Sequence, residues 1–227
     1  MSILLIDKPK GITSFDVIRC LRREYQARGE KAPKMGHAGT LDPLASGLMV
    51  IGVGPGTKEL AQLVKLDKTY EAEIILGESR TTGDLEGEII EECPVKIDDL
   101  SEEVITSTLQ TMVGFLELPV PAYSAIKQGG EALYKKVRRG ELVKPPVKKM
   151  KVIRAQLQET DNFQLTESYR VVVRVEFEVG SGTYIRSLVE ELGRRLGYPA
   201  TLGNLRRTRV GDFKIEGARK ICRYPIN

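Results

Sequence analysis

An aspartate followed by a proline, Asp42-Pro43, is the feature of the sequence that most suggests chemistry. The pair lies in the segment GHAGTLDPLASG, residues 36 to 47, which has glycines at both ends and contains His37. Pro43 keeps the backbone of Asp42 extended and supplies no amide donor, so the carboxylate is expected in a defined loop. A carboxylate oxygen is what an oxocarbenium-like transition state needs beside it, and Asp42 can supply one. Taken by itself, the pair more commonly marks an exposed Asp-Pro turn.

Residue counts exclude several other kinds of site. His37 is the only histidine, so a metal site with several histidines is impossible, and any Ser/His/Asp arrangement would have to use that residue. The segment GVGPGTK, residues 52 to 58, has neither the P-loop spacing nor a complete GxGxxG. The three cysteines are far apart, without a CxxC pair, and are expected to be buried thiols: Cys20, Cys93 and Cys222. We therefore expect no metal and no cofactor.

The amino-terminal segment MSILLIDKPK indicates where the protein works. Its apolar run ends at Asp7 and Lys8. That run is far shorter than the core of a signal peptide or a membrane span of roughly 20 residues. We expect a cytoplasmic protein that does not bind membranes, and a monomer.

Hydrophobic patterning predicts the strands that must position these residues. A short apolar run, residues 3 to 6, precedes the turn KPKG. Residues 49 to 53 form a buried strand after a loop-rich stretch from Gln26 to Gly47. Alternation with a period of two predicts strands at residues 68 to 76 and 170 to 179.

Three helices are predicted between these strands. Thr13 and Asp16 have the spacing of a capping box and open a helix that runs to about Tyr25. Ser101 opens a second helix that Gly114 should close, and an apolar stripe from residue 185 to 196 marks a third. The fold class is therefore α/β in the mixed α+β sense, with a mixed sheet between helices. We expect one domain over residues 1 to 227.

Charge is distributed unevenly along the chain. Residues 84 to 103 contain nine acidic groups and one lysine, whereas residues 121 to 154 contain ten Lys/Arg and two glutamates. A basic segment of that size can bind the phosphates of a nucleic acid, although a solvated surface fits the charges as well. Paired glycines and prolines mark residues 121 to 150 as a projecting insertion.

Six segments together resemble one protein family. GHAGTLDPLASG is similar to the catalytic signature G-H-x-G-x-L-D-P-x-A-x-G of the TruB family of pseudouridine synthases. The other five segments follow in the family's order: LDKPKGITSFDVI, KTYEAEIILG, YSAIKQGGEALYKKVRRGE, GSGTYIRSLVEELG and LGNLRRTRVGDF. The resemblance covers nearly the whole chain. It implies the pseudouridine synthase fold, with a largely antiparallel mixed sheet and a thumb-like RNA-binding insertion.

The resemblance also implies an activity and a catalytic set. It implies isomerisation of the uridine at position 55, in the T-arm of tRNA, without a cofactor. Asp42 matches the aspartate that acts at the glycosidic carbon, Tyr70 the tyrosine that stacks on the flipped base, and Arg186 the arginine that pairs with the carboxylate. Covalent attack at C1′ and deprotonation at C2′ remain open.

Further positions match substrate-binding residues of the family. His37 matches the histidine that holds the RNA with its target flipped out, and Tyr184 and Leu205 match residues of the uracil pocket. Lys8 belongs to the K-P-x-G motif, which supports the active-site loop. Lys127 opens the basic part of the insertion, which is expected to bind tRNA phosphates.

Three other functions compete with this hypothesis. A non-catalytic protein that binds or folds tRNA would explain the basic insertion but not the intact catalytic set. A guide-RNA-dependent synthase is weakened because the carboxy-terminal RNA-binding domain of such relatives is expected to be absent: the chain stops at Asn227. A small-sugar glycosidase would need a second carboxylate beside Asp42.

Overall fold

The computed structural model of the chain describes residues 2–96, 98, 100–158, 164–165 and 170–221. Its strands are β1 (Ile3–Lys8), β2 (Met35–His37), β3 (Ser46–Val53), β4 (Lys68–Leu76), β5 (Glu78–Arg80), β6 (Ile89–Glu92), β7 (Gly114–Pro119), β8 (Lys127–Gln128), β9 (Glu131–Ala132), β10 (Val147–Leu157), β11 (Gln164–Leu165), β12 (Val171–Val179), β13 (Ala200–Val210), β14 (Phe213–Lys214) and β15 (Arg219–Lys220). Its helices are α1 (Ser14–Ala27), α2 (Leu60–Leu63), α3 (Glu102–Thr111), α4 (Leu133–Arg138) and α5 (Ile185–Leu196).

The chain forms two compact units. The first contains Met1–Glu71 and Asn204–Asn227, and the second contains Ala72–Gly203. Each combines helices with sheet strands, so the predicted mixed α+β class is confirmed. A single catalytic domain over residues 1 to 227 stays a prediction.

A mixed sheet forms the core of the first unit, with the strand order β15-β1-β3-β13. β1 and β3 are antiparallel, from Ile3 opposite Gly52 to Lys8 opposite Gly47, and β2 is antiparallel to the end of β3, from Met35 opposite Val53 to His37 opposite Ile51. β13 runs parallel to β3. Because β3 has a neighbour along each edge, it is buried at every residue but its first, which explains its continuous apolar run.

The capping box predicted at the start of α1 is confirmed. The Asp16 amide donates to Thr13 Oγ1 over 3.1 Å, and the Thr13 amide donates to Asp16 Oδ2 over 2.8 Å. The helix ends at Ala27, two residues beyond the predicted Tyr25. The start of α1 is thus fixed next to the KPKG turn.

The second unit is also built around sheet strands. Its sheet order is β4-β12-β10-β7, and β12 buries every second residue from Val171 to Val179, as the alternation predicted. α5 begins after Tyr184 and ends at Leu196, and the next residue, Gly197, has φ of 82°. Glycine adopts this left-handed conformation without a steric penalty, and it closes the predicted helix as a C-cap.

Some elements differ from the predicted ones. The loop-rich stretch from Gln26 to Gly47 contains β2, which pairs with β3. The helix opened by Ser101 ends at Thr111, and Gly114 begins β7 instead of closing the helix. β13 was not predicted, because its sequence ATLGNLRRTRV lacks a regular apolar alternation.

The predicted insertion, residues 121 to 150, is mostly irregular. It contains the small β8-β9 pair and α4, whose Leu133 is fully buried, while Arg139 forms ion pairs with Glu131 and Glu141. Its end differs from the prediction, since β10 already begins at Val147. Cys20 is buried and Cys93 half-buried, both as thiols; Cys222 lies outside the described residues.

Candidate active site

Asp42 lies in the connection between β2 and β3. We call residues 38 to 45 the carboxylate loop. The Ala38 amide donates to the carbonyl of Val50 over 2.9 Å at its start, and the Ala45 amide donates to the carbonyl of Asp42 over 3.1 Å at its end. Asp42 itself is half-buried. The loop is therefore closed on the two antiparallel strands that flank it, and it is not the freely exposed Asp-Pro turn that the pair alone suggested.

The KPKG turn supports the loop from one side. Lys8 is fully buried, and its Nζ donates to the carbonyls of Pro9 at 3.0 Å, Ile12 at 2.7 Å and Pro43 at 3.5 Å. The Gly11 amide also donates to the Pro43 carbonyl over 2.8 Å. Because the ammonium is used internally, the geometry fits the supporting role of the K-P-x-G motif. Contact of Lys8 with a substrate stays a prediction.

A serine that the sequence analysis did not single out holds the residue before the aspartate. Ser14 Oγ donates to the carbonyl of Leu41 over 2.9 Å and accepts from the Leu41 amide over 2.8 Å. Both partners are buried. Ser14 is the first residue of α1, so the capping box that fixes the helix start also fixes the loop. The sequence signal was the capping box, which predicted the start of the helix but not the contact between Ser14 and Leu41.

A buried arginine, Arg207, bonds both sides of the loop. It is 1% exposed. Its Nε donates to the carbonyl of Leu48 over 2.7 Å, and its Nη2 donates to the carbonyl of Gly39 over 3.2 Å. The backbone of Arg207 lies opposite Gly47 in the parallel pairing of β13 with β3. This residue was also missed, because the strand that carries it was not predicted.

His37 lies at the end of β2, next to the loop. Burial lowers the pKa of its imidazole below the ordinary value, and the positive charge of Arg207 acts in the same direction, while a backbone hydrogen bond at Gly39 opposes them. The imidazole is therefore mainly neutral at pH 7. Its predicted role in holding RNA would then rest on hydrogen bonding and packing, not on a positive charge.

A buried lysine, Lys68, lies near Gly39: a Cβ at that glycine would be 3.5 Å from the Lys68 Cε. Lys68 Nζ donates to the carbonyls of Val64 at 2.9 Å and Leu66 at 2.5 Å. Burial is the main cause that lowers the pKa of Lys68 to about 8; Arg207 contributes to the decrease, and Asp67 opposes it. The positive charge of Arg207 thus disfavours protonation of both Lys68 and His37.

Lys68 should make stability depend on pH. Between about pH 8 and 10 the unfolded chain holds a proton on this lysine that the folded chain has released, so the free energy of unfolding rises with pH. We expect the wild type to gain at least about 1 kcal/mol relative to Lys68→Met between pH 7.5 and 9.5. Urea denaturation of both proteins at the two pH values measures this gain. Parallel pH profiles would contradict the assignment.

Two more predicted residues belong to the first unit. Tyr70 in β4 and Leu205 in β13 are each 7% exposed. Ser46 Oγ donates to the carbonyl of Leu205 over 3.4 Å, which connects the predicted uracil-pocket residue to the strand that follows the loop. The contacts of Tyr70 and Leu205 with a base stay predictions.

The remaining predicted residues belong to the second unit. Arg186 is 5% exposed; its Nη1 donates to the carbonyl of Thr82 over 2.8 Å, its Nη2 to that of Tyr123 over 3.0 Å, and Asp84 lies 3.7 Å from it. Asp84 was missed as a partner, since the sequence placed it only in an acidic stretch. Tyr184 caps α5, and Lys127 is exposed in β8. Pairing of Arg186 with Asp42 stays a prediction.

Within the described ranges, no group of three or more His, Cys, Asp or Glu side chains is arranged to hold a metal ion. In that part of the chain, none of the helices has the length and apolar character needed to cross a bilayer.

Known sequences match the chain along most of its length. The family model TruB family pseudouridylate synthase (N terminal domain) matches residues 22–185. A tRNA pseudouridine synthase B of Xylella fastidiosa is 42% identical over 213 residues, which are 94% of this chain and 66% of that protein. The protein of the same name from Mycobacterium sp. (strain KMS) is 38% identical over 228 residues, 99% of this chain and 70% of that protein.

Solved structures show the same fold. The chain matches one in an archaeal box H/ACA sRNP Nop10-Cbf5 complex with a TM-score of 0.64 and 25% identity, over 97% of this chain and 51% of that chain. A chain in a Cbf5-Nop10-Gar1 complex matches with a TM-score of 0.65 and 26% identity, over 97% of this chain and 52% of that chain. The chain thus spans about half the length of these structural relatives.

Proposed function

The chain belongs to the TruB family of pseudouridylate synthases, and on that premise we propose that it isomerises the T-arm uridine of tRNA, position 55, to pseudouridine. The observation that carries the proposal is the support of the carboxylate loop, in which Lys8, Ser14 and Arg207 bond residues on both sides of Asp42. A loop held by buried side chains keeps a reactive group in one geometry.

The reaction needs a carboxylate and no redox partner. The bond from C1′ to N1 of the uridine breaks, the uracil turns, and C1′ joins C5. C5 loses its proton and N1 gains one from the solvent, so the composition of the nucleotide does not change. In the proposed mechanism, Asp42 acts at the sugar, where positive charge develops as the glycosidic bond breaks. Tyr70 accepts the C5 proton, and Arg186 pairs with the carboxylate and orients it.

The target base must leave the RNA stack before Asp42 can reach its sugar. Extrusion of a base costs a few kcal/mol in lost stacking and pairing. Stacking on an aromatic ring offsets about 1–3 kcal/mol of that cost. We assign this stacking to Tyr70, with Tyr184 and Leu205 lining the uracil pocket and His37 holding the RNA in its opened form.

The basic insertion is proposed to bind the tRNA backbone. Lys127 and Lys144 are exposed and form no ion pair among the described residues, and Lys135 is exposed close enough to Glu131 to interact with its charge, whereas Arg139 is used by two glutamates. Exposed lysines bind phosphates by releasing counterions, which requires no fixed geometry. The segment therefore supplies affinity and orientation, and the carboxylate loop supplies the chemistry.

Tritium release tests the proposal. Purified protein is incubated with tRNA that carries tritium at uridine C5, with no cofactor, metal or guide RNA added, and the label in water is counted. We expect about one tritium released per tRNA, from position 55, and no release from tRNA with cytidine at that position. Binding of tRNA without release would favour the RNA-binding or tRNA-folding alternative. Release that requires an added guide RNA would favour the guide-dependent one.

A further inference from the structure

Arg207 is an unusual residue to bury. Its neighbour Arg206 is half-exposed on the opposite face of β13 and forms an ion pair with Asp7 at 2.9 Å. Arg207 instead faces the interior and donates to two backbone carbonyls. Removing a guanidinium from water is costly, and a carbonyl compensates less than a carboxylate does. Such a cost calls for a reason other than stability.

The two carbonyls lie on either side of Asp42 in the sequence. Gly39 is at the start of the carboxylate loop, and Leu48 is in β3 just after it. The guanidinium is planar and rigid, so donating from Nε and Nη2 fixes the separation between these two backbone points. A lysine ammonium, which is a single compact donor on a flexible stem, cannot impose that separation.

We infer that Arg207 is a positioning residue for catalysis, which sets the span of the carboxylate loop and thereby the place of the Asp42 carboxylate. The inference rests on the proposed function of Asp42. Lys8 and Ser14 bond the residues next to Asp42, Pro43 and Leu41. Arg207 bonds Gly39 and Leu48, which flank these residues in the sequence. A displacement of about 1 Å in a reacting group can cost about a hundredfold in rate.

The kinetic experiment compares Arg207→Lys with Arg206→Lys, the same substitution on the opposite face of one strand. For Arg207→Lys we expect kcat for tritium release to fall at least about tenfold, with KM for tRNA changed by less than about threefold. The control should keep kcat within about threefold of the wild type. Circular dichroism and the fraction of protein that binds tRNA correct each rate for misfolded material.

A second measurement does not depend on activity. Because His37 is the only histidine, its imidazole signal in an NMR titration needs no assignment by mutation. In Arg207→Met the loss of the neighbouring positive charge should raise the pKa of His37, and the amides of Leu41 and Ala45 should exchange with solvent faster than in the wild type. Neither change is expected in Arg206→Lys.

The possible outcomes distinguish a failure of the inference about Arg207 from a failure of the proposed function. Full kcat in Arg207→Lys, or equal losses in both lysine variants, would overturn the inference. So would an Arg207→Lys protein that does not fold, because the role would then be structural. If the wild type itself releases no tritium, the proposed function fails, and the inference is then decided by the exchange of the Leu41 and Ala45 amides in the Arg207 variants.

Discussion

Asp42→Asn should abolish tritium release, with kcat at least about a thousandfold below that of the wild type. The amide has nearly the shape of the carboxylate but carries no charge, so it neither attacks the sugar nor stabilises positive charge at C1′. The substitution keeps the Asp42 carbonyl that accepts from Ala45 and the Ser14 hydroxyl that holds Leu41. We therefore expect tRNA affinity within about threefold of the wild type.

Asp212→Asn is the matched control. Asp212 is exposed at the turn between β13 and β14, and its substitution changes the net charge by the same amount. Single-turnover tritium release and filter binding of tRNA are measured for all three proteins. A residual rate in Asp42→Asn within tenfold of the control would show that the carboxylate is not the reacting group.

Gly47→Ala should destabilise the folded protein by about 2–5 kcal/mol, which lowers the melting temperature by about 4–20 °C in a chain of this size. Gly47 has φ of 103°, which an alanine adopts only at a cost of about 1–2 kcal/mol. A Cβ there would also lie 2.3 Å from the carbonyl oxygen of Arg207, which belongs to backbone and cannot rotate away. Overpacking of this kind adds about 1–3 kcal/mol.

Gly54→Ala separates the two causes. Gly54 also has positive φ, 54°, but a Cβ there meets nothing within 4 Å. Thermal unfolding should show a loss of only about 1 kcal/mol for this control. Equal losses in the two variants would mean that the approach of Gly47 to Arg207 contributes nothing to stability.

Much of the fold could be predicted from signals that lie within short segments of the sequence. The capping box of Thr13 and Asp16 involves residues three apart, and the alternation in β12 is read directly along one strand, so both signals are complete within a short window. The carboxylate loop was found in the same way, because Pro43 and the flanking glycines restrict it locally. The resemblance then supplied roles for Tyr70 and Arg186 that spacing alone does not give.

The contacts that the sequence did not predict all join residues that are far apart in the chain. Ser14 matters because Leu41 is folded against it, and Arg207 because β13 pairs with β3; neither contact has a signature within its own segment. β13 is rich in arginine, threonine and asparagine, so its sequence does not predict a buried strand. Its burial is explained only by hydrogen bonds to residues that are distant in the sequence. Asp84 was overlooked for the same reason, since only the fold places it near Arg186.

The supports of the carboxylate loop lie far apart along the chain: Lys8 and Ser14 precede Asp42, whereas Arg207 follows Gly39 by 168 residues. During translation, the Asp42 segment leaves the ribosome long before the arginine that spans it has been added. The growing polypeptide accordingly lacks the arginine that joins the two sides of the carboxylate loop until β13 has been made and has paired with β3.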